Sequence, residues 1–545
     1  MKNNLFQPRL LHNFLIKNAE KYSDKDALIF DEKRISYSIL DAKSNQLAKS
    51  LIELGVKRHD RVIIFLDNSI ESVISIWAVL KAGGIFIILN SSIKPNKLLY
   101  IMNDSGAKVI ISSTSKYDVI SYAYNNNKRE LKTIWVGAPI NKINSFSFND
   151  LIFSQSAEIS SRLSARQEQI IDYNLAALIY KSGSTGEPKG VMSSQFNMIS
   201  AARSIIEYIG NTPDDIILNV LPLSFDYGLY QMIMSVLFGG TLVLESSFMF
   251  PLKILQIINR ENVTGFPIIP TIIALLLKMK DLERFELNSL RYISNTGAAF
   301  PIPHIQKFSQ MFPHIKIFSM YGLTECNRIA FLSPDEVYKR PGSVGKAIPN
   351  CEVFIFDDNG KEVKPGEVGE LVVRGSNVMC GYWNSPELTN NVYRPGLFQG
   401  EKLLYTGDLF RKDNDGFLYF LGRKDDMIKS KGERISPKEI ENILCAIPYV
   451  SEAAVIGVPD EILGQAIKAF IVLNDGLKTD ENNILQYCYQ NMESFMVPKH
   501  IEFVNELPKS PNGKIDKKIL KAESIMINPG FKSNLLRFRK FTFSL

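Results

Sequence analysis

From the N-terminus to about residue 400, short β-branched apolar runs alternate with longer stretches whose apolar residues recur every three or four positions. Arg61–Leu66, Gly84–Leu89, Lys108–Ser112 and Lys132–Val136 read as buried strands, with helices expected over Leu40–Leu54, Ile70–Leu80 and Lys97–Asp104. Strands that are apolar along their whole length are covered on both faces, and a helix between successive strands lets them run parallel. The alternation therefore predicts an α/β fold with mostly parallel sheets. From Asn350 the texture changes to short strands with turn signals at Asp357–Gly360, Pro365–Glu367 and Asn414–Gly416, as in a β subdomain over about 350–424. After Arg423 a compact pattern follows, with helices at Pro437–Leu444 and Glu481–Cys488 and strands at Ala453–Val458 and Ala469–Leu473. A chain of 545 residues exceeds what one core organises. The expected layout is a large multi-subdomain N-terminal domain (1–424), a small α+β C-terminal domain (425–523) and a basic tail (524–545).

Several function classes are disfavoured by composition. The formal net charge is +6, but much of it sits at the end, where Lys521, Lys532, Arg537, Arg539 and Lys540 face Glu523 alone. The remainder is near neutral and gives no support for nucleic-acid binding. The five cysteines are scattered without a Cys-x-x-Cys pair, which favours reduced thiols in a cytoplasmic setting over disulfides or zinc. No apolar signal-peptide core follows Met1. The most apolar stretch, Val73–Leu89, is broken by Ser75, Lys81 and Gly83-Gly84, and reads as a helix, a turn and a strand instead of a membrane span. None of the five histidines lies in a motif, so triad chemistry has little support.

The most informative segment is Tyr180-Lys-Ser-Gly-Ser-Thr-Gly-Glu-Pro-Lys-Gly-Val191. Gly183 and Gly186 let backbone N–H groups turn toward an anion, while Ser182, Ser184 and Thr185 add hydroxyl donors. Lys189 supplies a point charge of the kind that meets phosphate. Pro188 before the lysine and Gly190 after it break the Gly-x4-Gly-Lys-Ser/Thr pattern, so this is a phosphate loop of another kind.

That segment resembles the signature loop of the adenylate-forming enzymes: acyl-CoA synthetases, stand-alone and modular amino-acid adenylation enzymes, and luciferases. Lys81-Ala-Gly-Gly84 with Pro95, Tyr321-Gly-Leu-Thr-Glu325, Tyr405-Thr-Gly-Asp408 and Pro511-Asn-Gly-Lys514 follow the same family's order, and the resemblance covers all but the tail. It implies that ATP and Mg2+ are used to join AMP to a carboxylate, giving the poor electrophile a good leaving group. It also implies roles. Ser182, Gly183, Ser184, Thr185, Gly186 and Lys189 would cradle phosphate, with Tyr321 and Gly322 at the adenine. Glu325 would be the magnesium carboxylate, beside Thr324 as a phosphate hydroxyl. Asp408 would bind the ribose, helped by Arg423. Lys514 would align the substrate carboxylate, making it catalytic with Thr185 and Glu325. Asp425 would be the hinge of a mobile small domain, and Gly432 would line a thiol channel. The chain departs from the family form at Lys181, where threonine is usual, and at Gln195, where histidine is common.

By the same resemblance, Asp226, Tyr227, Tyr230, Pro267, Asn295 and Met320 would line the acyl pocket. Ser224-Phe225-Asp226 resembles the amino-acid-activating branch, whose aspartate pairs with the substrate ammonium; a structural aspartate capping the next turn is the alternative. The bulky set favours a small acid, an amino acid such as L-proline, loaded onto the phosphopantetheine of a carrier protein. An acyl-CoA synthetase, with CoA as acceptor, stays open beside it, as does a nucleotide-binding module that has lost catalysis.

Overall fold

The computed structural model describes residues 8–526 apart from 127–130, 139, 141–143, 154–166, 168, 183–186, 281, 298–301, 431–432, 461–462, 475, 478 and 511–512. By packing the chain divides into two compact units, residues 1–354 with 372–406, and residues 355–371 with 407–545. That division does not fall at Lys424–Asp425 and it cuts through the expected β subdomain. Helix Lys517–Met526 also runs past the expected start of the tail at 524.

In the first unit a seven-stranded sheet has the order Ser145–Ser147, Lys132–Val136, Val109–Ser113, Arg61–Phe65, Ile85–Ile88, Leu175–Ser182, Pro188–Ser194. Every neighbouring pair is parallel except the last, a hairpin. The expected alternation is therefore present, with helices Tyr37–Glu53, Ile70–Lys81 and Pro95–Ser105 between the strands. Ile70–Lys81 starts at a capping box in which Ser69 and Ser72 each accept the other's backbone N–H. The segment expected to be a buried helix, a turn and a strand is one, and among the described residues no helix is long and apolar enough to cross a membrane.

A second sheet in this unit places Gly265–Ile268, Tyr292–Asn295 and Lys316–Tyr321 side by side in parallel, in the rows Pro267–Ser294–Phe318 and Ile268–Asn295–Ser319. Open parallel sheets bind ligands beyond the carboxyl ends of their strands, and Pro267, Asn295 and Met320 sit at such ends. In the second unit, Gly464–Leu473 lies between antiparallel Val450–Asp460 and Ile428–Ser430, which pairs in turn with the edge strand Glu433–Ile435, and Gly464–Leu473 also pairs in parallel with His500–Phe503. Helices Pro437–Cys445 and Glu481–Asn491 cover one face, and Leu520 of Lys517–Met526 packs with Ala454, Ile456 and Phe470.

One buried pair in the first unit makes its stability pH-dependent. Lys81 is 0 % exposed and its ammonium donates to Asp41 Oδ1 (2.6 Å), the Asp41 carbonyl (3.0 Å) and Ser44 Oγ (2.8 Å). Burial pushes Lys81 down to about 8, with Asp41 opposing the shift. Burial, and then the Lys81 charge, push buried His12 down to about 3. Between pH 8 and 10.5 at Lys81, and between pH 3 and 6.5 at His12, the unfolded chain binds a proton that the folded chain lacks. Stability contributed by these groups therefore rises with pH across both windows. Lys81→Met removes the upper slope, a span on the order of 3 kcal/mol. Urea midpoints of parent and variant between pH 7.5 and 10.5 check it, and parallel curves would assign the slope elsewhere.

Candidate active site

The loop's flanks are more ordered than a donor-rich loop suggests. Leu175–Ser182 runs antiparallel to Pro188–Ser194, so Pro188-Lys189-Gly190 is strand, and only then does helix Gln195–Ile209 begin. A Cβ on Gly190 would lie 3.1 Å from the Tyr180 ring, which explains the small residue there. Gly183, Ser184, Thr185 and Gly186 lie outside the described residues, and Ser182 closes the strand. Lys181 and Lys189 are direct cross-strand partners. Half-buried Lys189 makes no ion pair among the described residues. Gln195 departs from the family for a packing reason: its buried Oε1 accepts the Leu11 N–H at 3.0 Å, at the start of a helix with no side-chain cap of its own.

Lys181 reaches the second motif. Its ammonium lies 2.6 Å from Glu325 Oε1, which also accepts the Tyr382 hydroxyl. Glu325 is buried and its Oε2 has no hydrogen-bond partner among the described residues. Burial alone would push this carboxyl up, but Lys181 and then Tyr382 outweigh it and hold it below its ordinary value. The turn presenting Glu325 is tight. Tyr321 ends a strand and accepts the Ile329 N–H at 2.9 Å, while Asn377 Nδ2 donates to the Cys326 and Arg328 carbonyls at 3.1 and 2.7 Å. Thr324 is half-buried in the same turn. An ionised, buried carboxylate with one oxygen unpartnered fits a divalent ion that takes its other ligands from substrate phosphates. Bound there, such an ion would neutralise charge on the triphosphate.

The second unit holds another group of expected residues. Asp408 and Arg423 are cross-strand partners joined at 2.7 Å, the carboxylate buried and the guanidinium half in solvent. Gly407, at φ 71°, donates its N–H to Glu370 Oε1 at 3.0 Å, fixing the backbone before the aspartate. Lys514 is exposed on a tight hairpin whose Ser510 N–H donates to the Lys514 carbonyl at 2.7 Å, with Gly513 at φ 75°. Asp425 is exposed in a turn, and Gly432 lies outside the described residues.

Two of the expected acyl-pocket residues, Tyr227 and Tyr230, lie near Arg328, a buried residue that no motif role had singled out. Tyr227 OH donates to the Ser294 carbonyl at 2.7 Å, and Tyr208 OH lies 2.8 Å from Met320 Sδ. Arg328 is 3 % exposed, sits 5.2 Å over the Tyr227 ring and donates to Thr296 Oγ1 at 2.7 Å. Its Nε and the buried Tyr230 hydroxyl have no partners among the described residues. Burial pushes Tyr227 and Tyr230 up, so both stay protonated donors. Half-buried Asp226 opens helix Asp226–Phe238 and accepts the Tyr227 N–H at 2.8 Å through Oδ1. The capping alternative thus describes one of its oxygens. Arg328 stood in plain view after Thr-Glu-Cys-Asn, whereas Tyr382, 57 residues from Glu325, had no sequence signal.

Fold and site together define an adenylate-forming enzyme. The AMP-binding enzyme model matches residues 15–383 and the AMP-binding enzyme C-terminal domain matches 439–514, so the chain belongs to this family. It is an AMP-forming acid–thiol ligase that uses ATP and Mg2+. It is 30 % identical over 530 residues to a long-chain-fatty-acid–CoA ligase of Bacillus subtilis, covering 93 % of each chain. It is 29 % identical over 530 residues to tyrocidine synthase 1 of Brevibacillus parabrevis, covering 96 % of this chain and 46 % of that one. Among solved structures, the anthranilate CoA ligase AuaEII in complex with anthranoyl-AMP superposes with a TM-score of 0.85 at 28 % identity, covering 95 % of this chain and 98 % of that one.

Proposed function

We propose that the enzyme adenylates a small polar carboxylic acid, an amino acid such as L-proline foremost, releases pyrophosphate, and passes the acyl group to the phosphopantetheine thiol of a carrier protein. The observation that carries this reading is the cluster of buried polar groups, Arg328 with Tyr227 and Tyr230, among the residues expected to line the acyl pocket. A long alkyl chain laid against Arg328 and Tyr230 would leave the Arg328 Nε and the Tyr230 hydroxyl unpaired, at about 1–3 kcal/mol for each. Asp226 supports the amino-acid branch, because Oδ2 remains to meet an ammonium while Oδ1 holds the helix start.

In this reading residues 182–186 and Lys189 hold the triphosphate, and Glu325, with Thr324 beside it, holds the divalent ion. Tyr321 and Gly322 border the adenine. Asp408, its charge offset by Arg423, binds the ribose hydroxyls. Lys514 brings the substrate carboxylate to the α-phosphate. Rotation about Asp425 then exchanges that lysine for the Gly432 segment, where the thiol enters. The free thiols of all five cysteines fit a reducing, cytoplasmic setting.

A CoA ligase is the second reading, favoured by the full-length match to the Bacillus subtilis enzyme. Pyrophosphate exchange across a panel of acids tests the substrate. Exchange with proline or another small amino acid is expected, and exchange with a medium-chain fatty acid but no amino acid would end the amino-acid reading. CoA-thioester formation without any carrier protein would move the acceptor to CoA.

A further inference from the structure

Where the family form has a neutral threonine, this chain places an ammonium 2.6 Å from the buried carboxylate. We propose that Lys181 is the internal counter-cation of Glu325, and that it sets how tightly the site holds a divalent ion. This rests on Glu325 being the metal carboxylate.

The geometry divides the carboxylate in two. Oε1 is taken by Lys181 and the Tyr382 hydroxyl; Oε2 is buried without a partner among the described residues. A buried carboxylate with no counter-charge is costly. Lys181 offsets that cost before any ion arrives and holds the carboxylate in position through Oε1. The same charge then repels an arriving dication across a few ångströms, beside a carboxylate that is itself buried. The result is an enzyme with a ready but weakened metal site, which responds to divalent-ion concentration in a range where a threonine-bearing site would already be filled.

The cross-strand register supports this division of labour. Lys181 and Lys189 face each other directly, and like charges so placed repel. Lys181 is neutralised by Glu325, whereas Lys189 has no ion pair among the described residues and keeps its charge for phosphate.

Mn2+ binding to the full-length protein with a non-hydrolysable ATP analogue, followed by electron paramagnetic resonance, tests the idea independently of turnover. Lys181→Thr should bind Mn2+ about tenfold more tightly than the parent, the size expected for removing one nearby like charge. Lys181→Met should do the same, which guards against a folding defect peculiar to one variant, and Lys181→Arg should match the parent. The Mg2+ concentration giving half-maximal pyrophosphate exchange should fall in step. Glu325→Gln separates the two layers of the argument. If it leaves Mn2+ binding unchanged, Glu325 is not the metal carboxylate and the proposal falls with that reading. If it abolishes binding while both neutral Lys181 variants keep the parent's affinity, Glu325 stands and the role given to Lys181 is overturned.

Discussion

Lys514→Ala will lower pyrophosphate exchange by a factor on the order of 10^2 to 10^3 while leaving the folded protein intact, because losing the group that aligns two reactants costs about that much. The side chain is exposed, so truncating it opens no cavity. The Ser510 N–H bond to its carbonyl and the Gly513 turn are backbone features that alanine keeps. The second half of the cycle provides the control. Thiol transfer from a pre-formed acyl-adenylate does not need the carboxylate aligned, so it should change little. A variant whose exchange stays within about threefold of the parent would remove Lys514 from the adenylation step and reopen the possibility of a nucleotide-binding module without catalysis.

Gly322→Ala will be the most damaging single-methyl change in the Tyr-Gly-Leu-Thr-Glu motif. The added Cβ would lie 2.1 Å from the Asn327 carbonyl oxygen and 2.8 Å from Arg328 Cα, both backbone atoms that no rotamer change can move aside. The turn carrying Glu325 must therefore open. Overpacking of this kind costs about 1–3 kcal/mol or more. The functional loss should be larger, because a carboxylate displaced by an ångström no longer meets its ion, and exchange should fall on the order of 10^2-fold. The same shift moves Arg328, which immediately precedes the Tyr321 backbone partner Ile329. Urea denaturation gives the first effect and exchange the second. Normal exchange at parental stability would show that the turn has slack the structure does not display.

The large-scale α/β pattern was legible because it is local. A strand buried on both faces has to be apolar throughout, and Ile85–Ile88 carries that property in its own residues, as does Arg61–Phe65 after its first. The strand Pro188–Ser194 was not legible, since glycine, proline and serine are poor strand formers and read as loop. It exists because its partner, Leu175–Ser182, supplies the hydrogen bonds. The division into units was equally out of reach, because compactness depends on contacts between segments far apart in the chain.

By itself the sequence determined the reaction class. The Ser/Thr/Gly loop, Glu325, Asp408 and Lys514 carry the resemblance through their own functional groups, and a functional group travels with its residue type. Only the tertiary structure decided what the departures mean. Lys181 is meaningful because folding brings its ammonium to a carboxylate 144 positions away, Gln195 because its amide meets the Leu11 N–H, and Arg328 because three aromatic and hydroxyl neighbours enclose its charge. Charge and hydrogen bonding act over a few ångströms, and those distances exist only once the chain has folded.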